Sequence, residues 1–161
     1  MASRAFRFRL QRVLDYRETV ERRVQSELAA LEYERVRAEE ALRQLEAERE
    51  DVLMQLVELQ RGTLDPFEDG LLRAYGRDLD ARIDGRIREV AELDRRIVAK
   101  REELIQASKG RKVMERLREQ AWQAFIAEQL RVEQATLDEI GGQLFVRQRR
   151  DRPVAGDEAS S

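Results

Sequence analysis

The chain has 161 residues with no His and no Cys, 31 Lys or Arg against 33 Asp or Glu, and a formal net charge of −2. That inventory removes the imidazole base, the thiol nucleophile, the disulfide framework and nitrogen- or sulfur-ligated metal, and the near-balanced charge gives no general drive toward nucleic acid or membrane. With 40% charged residues but only 8 Gly and 2 Pro, the sequence lacks the turn punctuation of a sheet protein and reads as long helices with one narrow apolar seam.

Residues 1–10 alternate Arg with Phe and Leu and lead into no apolar run of the kind a signal peptide needs. No apolar run anywhere is long enough to span a bilayer. A soluble, cytoplasmic protein is expected.

From Leu10, alternating steps of four and three residues reach Leu14, Arg17, Glu21, Val24, Leu28, Leu31, Arg35, Ala38, Leu42, Leu45, Arg49, Val52, Leu56 and Leu59. Eleven of these fifteen positions are apolar, and no Gly or Pro interrupts them. A seam of 3.5-residue period predicts a coiled-coil helix over about 8–61 with a left-handed supercoil. The pattern breaks at Gly62-Thr63-Leu64-Asp65-Pro66. Gly62 suits the residue after a helix, Asp65 an N-cap, Pro66 the first helical position and Glu68 a capping box with Asp65. So short a hinge, 62–65, favours antiparallel neighbours.

The second helix, about 66–148, carries its own frame through Leu72, Leu79, Ile83, Arg86, Val90, Leu93, Ile97, Lys100, Leu104, Ala107, Arg111 and Met114. A fold about Leu64 makes facing residues sum to 128, pairing Leu45 with Ile83, Ala38 with Val90, Leu31 with Ile97 and Leu14 with Met114. The seam arginines Arg35 and Arg49 are then expected beside Glu92 and Asp78, where they fix register more than they add stability. Phe8 falls opposite Gln120. Trp122, Phe125, Ile126, Leu130, Leu137, Ile140 and Leu144 are left on an overhang with no partner in the hairpin. Gly141-Gly142 should weaken the helix near its end, and 151–161 reads as a disordered tail. The expected fold is all-α: one antiparallel coiled-coil hairpin domain, 1–150, in which the second helix overhangs the first.

The carboxylates stand at helical spacing from Arg and read as solvated surface pairs. Asp78, Asp80, Asp84 and Gly85 depart from calcium-loop spacing, and there is no phosphate loop or nucleophile elbow. No catalytic, metal-binding or cofactor-binding residue is expected, and the protein is not expected to be an enzyme. Arginine-rich clusters at Arg4-Arg7-Arg9-Arg12, at Lys109-Arg111-Lys112 with Arg116 and Arg118, and at Arg147-Arg149-Arg150-Arg152 are either a solubilising face or an electropositive end that docks on an acidic protein surface. Phe6 and Phe8 suit a staple onto 116–122. Trp122, Phe125 and Ile126 suit a partner site, with self-association of two overhangs as the competing reading.

The opening Phe6-Arg-Phe-Arg-Leu10-Gln-Arg-Val13-Leu14-Asp-Tyr16-Arg17 resembles the start of the FliJ family. So do Arg111-Lys-Val-Met-Glu-Arg-Leu117, the Trp122/Phe125 segment and then Leu137-Asp-Glu-Ile140 and Phe145. The resemblance covers about 5–150. It implies a stalk of the flagellar type III export apparatus whose terminal end inserts into a hexameric export ATPase. The hinge side would contact the cytoplasmic part of the export gate, and empty export chaperones would be recycled. It also implies peripheral association with the inner face of the cell membrane through partners, and no nucleic acid. By position, the gate-facing patch falls on Leu45, Glu48, Val52, Tyr75, Leu79, Arg82 and Arg86. Glu48 and Val52 stand where aromatics can occur in the family, and Arg82 and Arg86 replace smaller or less charged residues. The ATPase-docking end is taken as Phe6, Phe8, Leu10, Trp122, Phe125 and Ile126. The rival readings are the equivalent stalk of a virulence-type injectisome, a structural coiled-coil dimer kinked at Gly62–Pro66, and a nucleic-acid binder using the terminal arginines.

Overall fold

A computed structural model describes residues 5–63 and 65–152. Arg4, the proposed fold centre Leu64 and 153–161 of the expected tail lie outside the described residues. Two helices make up the structure, α1 (Gln11–Arg61) and α2 (Pro66–Arg150), packed on each other as an all-α hairpin.

Their ends follow from local chemistry. α1 starts about one turn later than the heptads suggest. The Gln11 amide donates to the Phe8 carbonyl at 3.2 Å, and the Val13 and Leu14 amides donate to Leu10 at 3.0 Å. Leu10 therefore stands at the N-cap with no side-chain acceptor to offer. At the other end Gly62 stays out of the left-handed region, and its amide reaches the Leu59 carbonyl at 3.4 Å. α2 begins on a polar cap, because Asp65 Oδ1 accepts the Phe67 amide at 2.9 Å and Glu68 and Asp69 place negative charge in the first turn. The helix runs unbroken through Gly141-Gly142 to Arg150, where the sequence suggested weakening.

The chain divides into two compact units, residues 15–112 and residues 1–14 with 113–161. In the first, Leu31, Ala38, Leu93 and Ile97 form a buried cluster joined by Leu28 and Val90. Leu31 and Ile97 sum to 128, as do Ala38 and Val90. A Cβ on Gly76 would sit 3.7 Å from Val52, again a pair that sums to 128. Val24 and Leu79 have no accessible surface, and the buried set as a whole (Leu14, Val24, Leu31, Ala38, Val52, Leu79, Ile83, Leu93, Ile97, Ala107, Met114) lies in the two heptad frames. No polar or charged residue among those described is buried.

Polar seam positions are matched across the interface instead. Glu21 faces Arg111, Arg35 holds Asp94, Arg49 holds Asp80, and Lys100 reaches Glu27 at 2.8 Å. The expected partners of the two arginines were Glu92 and Asp78. Those residues pair along α2 with Arg95 and Arg82. Helical side chains lean toward their own N-terminus. In an antiparallel pair that lean carries Arg35 and Arg49 toward higher numbers on α2, and so to Asp94 and Asp80.

In the second unit Leu14 and Met114 are buried, and every side chain from 130 to 150 is exposed.

Candidate functional site

The segment before α1 is held to α2 by aromatic rings. Phe6 meets Trp122 edge-on at 5.1 Å between centroids and Phe125 at 5.5 Å, and Trp122 stacks on Phe125 at 5.8 Å. Each such pair contributes about 0.5–1.5 kcal/mol beyond its burial. Trp122 and Phe125 therefore have an intramolecular partner, and the partner-free stretch begins later than the heptads suggested. The staple is made by Phe6. Phe8 lines an adjoining groove of about 440 Å³ with Phe6, Arg7, Arg9, Gln11, Arg12 and Arg118.

Leu10 is 37% exposed, Trp122 42% and Ile126 38%, so the cluster keeps open apolar surface. That surface continues along one side of α2 through Leu130, Leu137, Ile140 and Leu144, all exposed. Farther on, the Arg149 guanidinium lies over the Phe145 ring at 5.2 Å. An apolar stripe of this extent on a helix face is the usual mark of a partner surface.

The residues assigned by position to the gate side separate into two groups. Leu45, Glu48, Arg82 and Arg86 line one groove of about 400 Å³ together with Ala41, Gln44, Gly85 and Glu89. Tyr75 is exposed and donates its hydroxyl to Glu48 at 3.1 Å. That hydrogen bond, then burial, raises the phenol above its ordinary pKa. Val52 and Leu79 differ: they are 4% and 0% exposed and belong to the seam, so they offer no surface to a partner. The groove's charges are satisfied locally, Arg82 by Asp78 at 3.0 Å and Arg86 by Glu89 at 2.7 Å.

An apolar groove that the sequence did not single out lies beside the hinge. It measures about 540 Å³ and is lined by Met54, Gln55, Glu58, Leu59, Glu68, Leu71 and Leu72. Its only sequence signal is that Met54 and Leu71 are apolar outside the heptad frames.

Asp78 and Asp80 are engaged by Arg82 and Arg49, and among the described residues no group of carboxylates could hold a metal ion. No helix of the described residues is long and apolar enough to cross a membrane.

A two-helix hairpin with a heptad seam and open apolar surface beyond the end of the shorter helix belongs to the class of coiled-coil proteins. The model of one such family, described as the flagellar FliJ protein, matches residues 6–150, and the chain belongs to the FliJ family. Membership implies a stalk-type role in flagellar protein export and association with the export machinery, as a structural component. No curated protein and no solved structure matches the chain.

Proposed function

We propose that this chain is a non-enzymatic stalk that docks on the flagellar export ATPase through the end formed by Phe6, Phe8, Leu10, Trp122, Phe125 and Ile126, promoting assembly of the hexamer and its turnover. The observation that carries the reading is the apolar stripe from Ile126 through Leu130, Leu137, Ile140 and Leu144, which stays open beside a firmly packed aromatic cluster. A helix end of this kind is suited to a protein cavity. Family membership, which implies association with the flagellar export machinery, supports the ATPase as the partner that offers it.

On the same reading, Leu45, Glu48, Arg82 and Arg86 face the export gate across their shared groove, Tyr75 joins them through its hydrogen bond to Glu48, and Val52 and Leu79 support them from within the seam. Handling of export chaperones, and residence at the cytoplasmic face of the flagellar base through partners, rest on the family alone. The family model is a flagellar one, which favours that system over an injectisome.

The test is ATP hydrolysis by the cognate export ATPase with and without the purified chain. Trp122→Asp would disrupt the cluster that holds Phe6, so the informative variant is Ile126→Asp with Leu137→Asp, which spares those rings. Stimulation by the wild type and a loss of about 30-fold or more in apparent affinity for the double variant, the scale of a hot-spot residue, is expected. Stimulation undiminished in the double variant would remove the stripe from the docking surface. A wild type that neither binds nor stimulates would remove the reading itself.

A further inference from the structure

Many arginines of the described chain lie beside a carboxylate: Arg22, Arg23, Arg35, Arg49, Arg61, Arg73, Arg82, Arg86, Arg95, Arg101, Arg111 and Arg131 each have one. The groove beside Phe6 and Phe8 instead gathers four arginines and no acid in one place. Arg7, Arg9, Arg12 and Arg118 line it, no carboxylate lines it, and none of the four side chains has an ion pair or hydrogen bond among the described residues. From residue 5 to residue 14 there are three arginines and no acid.

This placement is electrostatically unfavourable for the chain by itself. The groove adjoins the first turn of α1, which carries no acidic residue, and a helix N-terminus already bears partial positive charge. α2 shows what the same chain does where only helix stability is at issue: its first turn carries Glu68 and Asp69. The other arginine-rich segment, Arg147, Arg149 and Arg150, sits in the last turn of α2, where cations complement the helix dipole and need no outside counter-charge. Helix chemistry therefore accounts for that cluster and leaves the one around Phe8 without an internal reason.

We infer that the groove of Arg7, Arg9, Arg12 and Arg118 receives a carboxylate-rich segment of the protein on which this end docks, so that partner carboxylates supply the counter-charges the chain omits. The inference deepens the docking reading and rests on it. Guanidinium forks donate to carboxylates in bidentate geometry. Phe6 and Phe8, interleaved with Arg7 and Arg9, add apolar contact that an acidic peptide with aliphatic side chains can meet. A long polyanion is disfavoured, because it would feel the whole chain, whose net charge is −2, whereas a short acidic segment feels only charges within a screening length of about 10 Å. The surface sets encounter rate and orientation, and the neighbouring apolar stripe supplies contact area.

The experiment measures binding of the full-length chain to the purified export ATPase across a salt series, beside two quadruple variants, R7Q/R9Q/R12Q/R118Q and R7K/R9K/R12K/R118K, whose helicity is checked first. Raising salt from about 0.1 M to about 1 M shortens the screening length to about 3 Å, so wild-type affinity should fall steeply. The glutamine variant should bind about tenfold to a hundredfold more weakly at low salt, the range of electrostatic steering, with a flattened salt dependence. The lysine variant should keep the salt slope and most of the affinity. A glutamine variant equal to wild type in affinity and slope overturns the inference while leaving docking intact.

If the wild type does not bind the ATPase at any salt, the docking reading fails, and a fluorescein-labelled oligoglutamate peptide decides the inference separately. Peptide binding by the wild type that is lost in the glutamine variant upholds an acidic-segment groove. Equal binding by the two, or none, ends it. Tighter binding of a single-stranded DNA oligomer than of the peptide at the same salt overturns the choice of a protein partner.

Discussion

Leu79 and Val24 have no accessible surface, so each contributes about 1.5–3 kcal/mol of burial to a seam only a few side chains wide. Leu79→Ala is expected to destabilise the protein by about 2–5 kcal/mol, the cost of lost transfer energy and a cavity. Leu137→Ala, at a position 63% exposed, should change stability by less than about 0.5 kcal/mol. Urea titrations of both read this directly, and equal losses would contradict the burial pattern. Charged side chains at the seam give a pH signature instead. Glu27 is held below its ordinary value of 4.5, chiefly by the hydrogen bond from Lys100. A carboxyl whose folded pKa is depressed stabilises the fold above its unfolded pKa and loses that contribution as pH falls through the folded value. Lys100 is raised above 10.5 by hydrogen bonds to Glu27 and Glu103, so its share is present at neutral pH and lost only in strong base. The melting temperature of the wild type should therefore decline more steeply below pH 4.5 than that of Glu27→Gln. Parallel acid limbs would show that the pair contributes nothing.

At the scale of the helices, register is set by two devices, the apolar layers and the cross-seam charges. Glu21 and Arg111, with side chains 12% and 23% exposed, face each other from seam positions of α1 and α2. Reversing either one alone places like charges together in a half-buried layer. Reversing both restores an opposite pair, and a coupling energy of about 0.5–3 kcal/mol is expected from the Glu21→Arg and Arg111→Glu double-mutant cycle. Additive losses would mean the pair plays no part in register. Most of this level was legible in the sequence, because seven heptads without a slip and a hinge of a few residues leave little freedom in how the helices face. Leu31 opposite Ile97 and Phe6 beside Trp122 both follow from the same sum of 128. What the sequence concealed is of two kinds. The partners of Arg35 and Arg49 depend on the lean of side chains along a helix, which a one-dimensional frame omits. Val52 and Leu79 were carried to the gate surface by family position, although their own heptad frame marks them as core.

Among the described residues, buried side chains and the exposed apolar stripe are segregated along the chain. Every buried side chain lies between Leu14 and Met114, and every residue from 130 to 150 is exposed, although α2 is continuous to Arg150. Helical stability in proteins comes mainly from packing an apolar face, and a segment with nothing packed on it relies on propensity alone. In 130–150 that propensity is lowered by Gly141 and Gly142, each costing about 1 kcal/mol relative to Ala. Opening free energy should therefore differ sharply between the two stretches. In hydrogen exchange on the isolated chain, amides of 130–150 are expected to exchange near the rate of unstructured peptide, while those around Leu31, Ala38, Leu93 and Ile97 exchange only by global unfolding. Deleting 131–161 should move the melting midpoint by less than about 2 °C, equivalent to about 0.5 kcal/mol for a domain of this size. Binding of the export ATPase should then slow exchange along Leu130–Leu144, because covering the stripe gives that helix the tertiary partner it lacks. Strong protection of 130–150 in the free chain would show that the stripe is already covered in solution, and self-association of two overhangs would replace ATPase docking as its explanation.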